Sequence, residues 1–380
     1  MVYNGKYKKY FNNLGFEKIF PADILTKRER VERTLNHQPV DRVALLDQLS
    51  YNQEIISHYT GKSVNGFNYN TEDIGHVIRK TLDICFPLVN PLGTEQVIDE
   101  DGFVRQNDNW TSWHVSRPFN DVEGARRWLS AKVEKIKKEK FDEEKERKEY
   151  HKQMQEMQSK VGETVIMNFS WTGFCSVYDS MGLELFTYFY LDYPDEMTEF
   201  MELSTRREIM RVNAVADREL SPVILIPEDF ATKQGPIFSP EFLKKQLFPY
   251  VKMLTDAWHN HGIKVIYHSD GNYKKVIPDL IQCGVDGFYC LEPNCGMDIV
   301  ELKNTWPDMV WAGGVDGVEL MERGTPEDVR KEIRRHIMCT DAYKTGGMFV
   351  GTSSEVNPPI KPENFRAMVE AVGEIFNPDF

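Results

Sequence analysis

The sequence predicts an α/β fold, a (β/α)8 barrel of TIM type, on three observations. Eight short apolar runs bounded by turn residues recur along the chain, amphipathic stretches separate the later ones, and polar residues follow the runs directly. With 380 residues, 41% hydrophobic and 28% charged, the chain can build one large core, and it fits a single barrel domain over 1–380 with an insertion at about 95–160.

The predicted strands lie at 43–46, 84–86, 165–168, 223–226, 265–267, 287–291, 309–311 and 348–350. The stretches 240–261 and 273–283 are long enough for crossover helices, so successive strands should pair in parallel. The second run is the least regular, because Pro87 and Pro91 follow it, and 95–115 reads as a hairpin turning at Asp101-Gly102. From 132 to 156 Lys and Glu dominate, which predicts a solvated helix laced with (i, i+4) ion pairs. No internal repeat is evident.

A net charge of −13 repels a phosphate backbone, which argues against nucleic acid as a partner. No window approaches the roughly 20 apolar residues of a membrane span, and residues 1–10 lack the apolar core of a signal peptide, so the expectation is a cytoplasmic protein. Cys85, Cys175, Cys283, Cys290, Cys295 and Cys339 form no Cys-x-x-Cys pair, which predicts neither a disulfide framework nor a thiolate zinc knuckle. They read mostly as buried small hydrophobes, with Cys290 and Cys295 close to the end of the sixth strand.

In such a barrel the active site is built where the strands end. Asp47, Gln48 and Tyr51 follow the first strand; Asn168, Ser170, Trp171 and Phe174 the third; Glu228 and Asp229 the fourth. His268-Ser269-Asp270-Gly271-Asn272 follows the fifth and Glu292-Pro293-Asn294-Cys295 the sixth. His268 and Asp270, with Glu228 and Glu292 from neighbouring strands, would make a nitrogen and oxygen zinc site with an open position. The same residues also read as a hydrogen-bonded histidine followed by a turn in which Asp270 caps a helix. Of Glu228 and Asp229, one acid would accept a proton or bind metal while the other caps a loop. Trp171, Phe174, Tyr178 and Phe230 would wall a planar ligand, although aromatic residues at strand ends also serve as packing. No P-loop, dinucleotide fingerprint or Gly-x-Ser-x-Gly elbow is present.

The sequence resembles the uroporphyrinogen decarboxylase superfamily, on motifs spread over most of the chain. These are Arg28-Glu29-Arg30-Val31 with Pro39-Val40-Asp41-Arg42-Val43, Ser239-Pro240-Glu241-Phe242 with Phe248-Pro249-Tyr250, and His268-Ser269-Asp270-Gly271-Asn272. Gly284-Val285-Asp286-Gly287, Gly313-Gly314-Val315-Asp316 and Pro358-Pro359-Ile360-Lys361-Pro362-Glu363-Asn364 complete the set. The resemblance implies the barrel independently of the strand count, but the same barrel hosts several reactions. Decarboxylases of the family carry an Arg-Gln-Ala-Gly-Arg segment after the first strand to grip a polycarboxylate. Here that place reads Asp47-Gln48-Leu49-Ser50-Tyr51, with no arginine between Arg42 and Arg79.

The corrinoid-dependent methyltransferase branch is the closer likeness. Its thiol-charging members hold zinc through His-x-Cys and a further Cys near the last strand. Here these places read His268-Ser269-Asp270 and Thr352-Ser353-Ser354, which implies an oxygen-rich site without thiolates. The expectation is therefore a zinc-dependent methyltransferase, the methyl-donor half of an O-demethylase. It would take a small methylated, methoxyaromatic substrate and pass the methyl group to cobalt(I) of a corrinoid (cobalamin) on a separate corrinoid-binding protein. Its catalytic and metal residues would be His268, Asp270, Glu228, Asp229 and Glu292; Trp171, Phe174, Tyr178, Phe230, Asn168 and Tyr51 would receive the substrate. Alternatives are a tetrapyrrole decarboxylase with a diverged grip and a non-catalytic corrinoid or tetrapyrrole binder. The oligomeric state stays open, a homodimer included.

Overall fold

The structure is a computed structural model that describes residues 17–380, so the expectation for residues 1–10 lies outside the described residues. The barrel strands are β1 (Ala44–Asp47), β2 (Ile84–Cys85), the pair β6 (Val165–Ile166) and β7 (Asn168–Phe169), and β8 (Val223–Pro227). They continue with β11 (Lys264–His268), β12 (Gly287–Tyr289), β13 (Val310–Val315) and β14 (Met348–Thr352). Between them lie β3 (Gln96–Ile98), β4 (Val104–Asp108), β5 (Thr111–Ser116) and the small ribbon β9 (Ala231–Thr232) with β10 (Gly235–Pro236).

All barrel pairings are parallel. β6 and β7 are two halves of one strand: β6 pairs with β2 and β7 with β8, and Met167 between them donates to Cys85 O. That shared strand closes the ring, and β14 returns to β1. All eight expected strands are present. Closure is tight at Gly351 of β14, where a Cβ would lie 1.9 Å from Leu46 O of β1.

Strand periodicity divides the core in two. Ala44, Leu46, Ile84, Phe86, Val165, Met167, Val223, Leu225, Ile266, Tyr289, Val310, Ala312 and Phe349 fill the lumen as one cluster, with Phe169 against it. The alternate residues, such as Leu45, Ile166, Ile224, Ile226, Val265, Tyr267 and Phe288, pack outward against the helices.

Three expectations are corrected in detail. The segment 95–115 is a three-stranded antiparallel meander: β4 pairs with both β3 and β5, and the second turn is made by Asn109 at φ 51. The Lys/Glu-rich stretch is two helices, Val122–Lys138 and Glu143–Val161, because Asp142 caps a new helix by accepting from Lys145 N. Ion pairs at (i, i+4) do line them, for example Lys138 with Glu134 and Lys152 with Glu156. The stretch 240–261 breaks at Leu247 into Pro240–Gln246 and Phe248–His259, since Pro249 opens the second helix.

The amino-terminal family motifs build the floor of the barrel rather than its mouth. Arg30 and Arg42 are fully buried among Asp23, Asp41 and Asp83. Arg30 spans Asp41 (2.7 Å) and Asp83 (2.7 Å), and Arg42 spans Asp23 (2.7 Å) and Asp83 (2.7 Å). Asp41 and Asp83 sit just before β1 and β2, so the network ties the strand entrances together. Asn364 donates to Met321 O and Gly324 O and so holds the segment after β13, while Asn52 donates to Asn357 O and Ile360 O and clamps the loop after β14. All six cysteines are free, and Cys85, Cys283 and Cys290 are buried. Among the described residues no helix is long and apolar enough to cross a membrane.

Candidate metal centre at the barrel mouth

Because Ile266 faces the lumen and side chains alternate along β11, His268 at the strand's last position also turns inward. The chain then turns sharply: Gly271 has φ +76, and a Cβ there would meet Thr232 O at 2.7 Å. This turn brings Asp270 back over the mouth. From the neighbouring β12, Tyr289 faces the lumen and so does the next residue, Cys290. Two consecutive inward residues break strand alternation, and Cys290 achieves it with a left-handed backbone at φ 68.

The result is a cluster of His268, Asp270 and Cys290 whose ligand atoms all lie within 4.8 Å of one another. Cys290 Sγ donates to Asp270 Oδ1 at 2.8 Å, and His268 Nε2 lies 3.8 Å from the same oxygen. The other ring nitrogen, Nδ1, is buried without a well-aligned hydrogen bond and faces Asp229 Oδ1 at 3.4 Å. Asp229 is itself fixed by accepting from Asp270 N at 2.7 Å. Burial works against the imidazolium, but Asp229 and Asp270 outweigh it and hold the His268 pKa above the ordinary value. Burial would raise Asp229, yet its contact with His268 draws it down. Cys290 is pushed well above an ordinary thiol by burial and by Asp270 beside it. Nitrogen, oxygen and sulfur donors converging from three sides suit a zinc-type ion, and three ligands leave one position for substrate.

The other expected residues divide sharply. Glu228 is not brought to this cluster: it is fully buried and its carboxylate accepts from Thr172 N (2.8 Å), Gly173 N (3.2 Å), Cys175 N (2.8 Å) and the Thr172 hydroxyl. Strand parity explains this, since Ile224, Ile226 and Glu228 share the outward face of β8. Burial raises the Glu228 pKa, countered by those donors. Glu292 accepts from Gly271 N at 2.6 Å and so braces the turn behind Asp270. Phe174 and Phe230 are fully buried in the outer core, where Phe174 packs with Phe186, Phe238 and Phe242. Tyr178 joins that group, and its hydroxyl donates to Asp229 O.

Trp171 is 50% exposed and lies at the mouth. Asn168 points outward and lines, with Trp171 and Tyr150, a side cavity of about 350 Å³. Tyr51 is half-buried, and burial and nearby Glu355 raise its pKa.

Sequence reasoning missed the aromatic row that crosses the mouth. Trp171 lies 5.8 Å from Phe169, Phe169 stacks on Phe86 at 5.8 Å, Phe86 reaches Tyr289 at 5.0 Å, and Tyr289 reaches His268 at 5.5 Å. Counting by twos from the lumen residues of each strand would have selected Phe86, Phe169 and Tyr289. It would also have rejected Glu228. Beside the nitrogen and oxygen donors of the His268-Ser269-Asp270 run, the structure brings a thiol from Cys290, outside that run, by way of its unusual backbone.

A closed parallel barrel with a candidate metal cluster at the carboxyl ends of its strands defines the class as a barrel enzyme scaffold. Residues 126–375 match the family described as "Uroporphyrinogen decarboxylase (URO-D)", well over half of the chain, and the protein belongs to that family. Among solved structures, a "methyltransferase from Methanosarcina mazei" shares the fold with a TM-score of 0.63 at 17% identity, over 92% of this chain and 99% of that one. A B12-independent methionine synthase from Shewanella sp. W3-18-1, in complex with selenomethionine, aligns more loosely, with a TM-score of 0.38 at 14% identity over 74% of each chain. No curated protein matches the sequence.

Proposed function

We propose that the protein is a methyltransferase that takes a methyl group from a small methoxyaromatic donor and delivers it to cobalt(I) of a corrinoid carried by a separate protein. His268, Asp270 and Cys290 would hold a zinc ion for the purpose. The observation that carries this reading is the convergence of those three ligand atoms within 4.8 Å, with Asp229 behind the histidine ring. A carboxylate facing the non-ligating ring nitrogen is the arrangement that fixes a metal-binding imidazole. The bound ion would supply Lewis-acid stabilisation of the oxygen from which the methyl group departs.

The protein's own groups do the rest. Asp229 orients His268 so that Nε2 faces Asp270 and Cys290. The aromatic row from Trp171 to Tyr289 offers a flat apolar face on which an aromatic ring would lie beside the cluster. Instead of an arginine grip, the end of β1 carries Asp47, fully buried and bonded to Thr352 N and Oγ1, so this place offers a polyanionic tetrapyrrole no cation to hold it. The inserted segment 95–156 would form the rim on which the corrinoid protein docks. The open fourth position and the mouth above it are where the donor and the cobalt would meet.

The test is elemental analysis of protein purified without a metal-binding tag, for the native chain and for His268→Ala and Cys290→Ser. About one zinc per chain is expected in the native protein and little in either variant. Methyl transfer from methoxyaromatics, followed through the absorbance of a cobalt(I) corrinoid, should fall with the metal. Native protein that stays metal-free after reconstitution and releases carbon dioxide from uroporphyrinogen would replace this reading with decarboxylation.

A further inference from the structure

A second cavity, of about 470 Å³, lies between the inserted meander and the helix Phe174–Met181. Its size is that of a small-molecule site, typically about 300–1,000 Å³. Arg105, Ser112, Trp113, His114 and Arg117 come from or next to the meander, and Asp179 from the helix. Two guanidiniums face one carboxylate in a chain whose net charge is −13. Arg117 Nε donates to Ser180 O at 2.7 Å, which fixes its plane. Arg105 holds Asp99 loosely, at 3.9 Å. His114 Nε2 is buried with no hydrogen-bond partner. Trp113 is 49% exposed on the cavity wall.

We propose that this cavity binds the carboxylate of a small aromatic acid, with Arg105 and Arg117 gripping the anion, His114 donating to it, and Trp113 against its ring. Planar guanidiniums pair with a carboxylate in the fork geometry that an ammonium cannot match. Burial, Arg105 and Arg117 all lower the His114 pKa, so the ring is neutral and adds a hydrogen bond without a third charge. One helix borders both this cavity and the backbone of Asp229 beside His268. The helix that bears Asp179 also bears Tyr178 and Cys175, both of which donate to Asp229 O, the Cys175 thiol at 3.2 Å. The cavity shares no lining residue with the Trp171 to Tyr289 row, so the assignment goes beyond the methyl-transfer reading and concerns a second ligand.

The experiment is calorimetric titration of the full chain with benzoate, benzamide and inorganic phosphate. Benzoate should bind one per chain, quench Trp113 fluorescence and outcompete phosphate, while benzamide, the uncharged isostere, should bind far more weakly. Arg105→Gln removes an exposed guanidinium and should weaken benzoate about tenfold or more, as loss of a charged hydrogen bond does. Arg117→Gln should do the same, and its thermal unfolding midpoint reports whether its contact with Ser180 was also structural. Equal binding of benzoate and benzamide, tighter binding of phosphate, or unchanged affinity in Arg105→Gln would overturn the proposal. Because no methyl transfer is read, a failure here leaves the methyltransferase reading standing, and a metal-free protein leaves this one standing.

Discussion

Cys290 holds a left-handed backbone that a non-glycine residue adopts only at a cost, of about 1–3 kcal/mol. The strain turns its thiol into the lumen, so strain and the proposed metal ligation meet at one residue. Cys290→Gly and Cys290→Ala both remove the sulfur, but only glycine sheds the strain. Urea unfolding should therefore find the glycine variant more stable than the alanine variant by about 1 kcal/mol, with neither retaining zinc. Glu228 makes the opposite case. Glu228→Gln leaves one acceptor where two served four donors, and should cost about 3 kcal/mol in a denaturant titration while metal content stays at the native level. Loss of metal in a folded Glu228→Gln protein would instead make that carboxylate a ligand.

At the scale of elements, the entrances of β1 and β2 are joined by the buried network of Arg30, Arg42, Asp23, Asp41 and Asp83. Breaking such a network from one side leaves uncompensated buried charge, so Arg30→Met should cost about 3–5 kcal/mol in thermal or urea unfolding. By contrast, Lys152→Ala on the exposed helix Glu143–Val161 should change stability by less than about 0.5 kcal/mol, since both partners of its ion pair are in water. The network also sets an acid limit. Burial alone would raise Asp83, but Arg42 and Arg30 hold it far below an ordinary carboxylate, and Arg30 likewise lowers Asp41 against its burial. Groups with depressed pKa contribute their stability above about pH 4, and that stability is lost as pH falls through their folded values. A urea midpoint that holds steady between pH 4 and pH 2 would contradict this.

For the whole molecule, barrel closure places an acid where water cannot reach it. Asp47, joining β1 to β14 through Thr352, is pushed up to about 7 by burial, with the Thr352 and Gln48 donors pulling the other way. Its sign is opposite to that of Asp83: the folded protein keeps a proton that the unfolded chain releases above about pH 4, so stability falls as pH rises from about 4 to 7 and levels off beyond. Asp47→Asn should flatten the urea midpoint across that window. An equal slope in native and variant protein would show that another group is responsible.

The sequence by itself determined the barrel. Eight apolar runs, helical spacers and the family motifs all report local propensity and chain-order pairing, which a parallel barrel satisfies strand by strand. It also located His268, Asp270 and Asp229 at one mouth, because strand ends converge wherever strands close into a ring. Three-dimensional packing decided which side chains reach the centre. Glu228 looked like a ligand and faces outward by one step of strand parity, whereas Cys290 faces inward through a backbone angle that no sequence pattern announces. Phe174 and Phe230 looked like a ligand wall and are helix-side core, while Phe86 and Phe169 meet only because β2 and the β6/β7 strand lie side by side in the closed barrel. Propensity is read along the chain; which face a residue shows, and what lies across from it, exists only once the ring has closed.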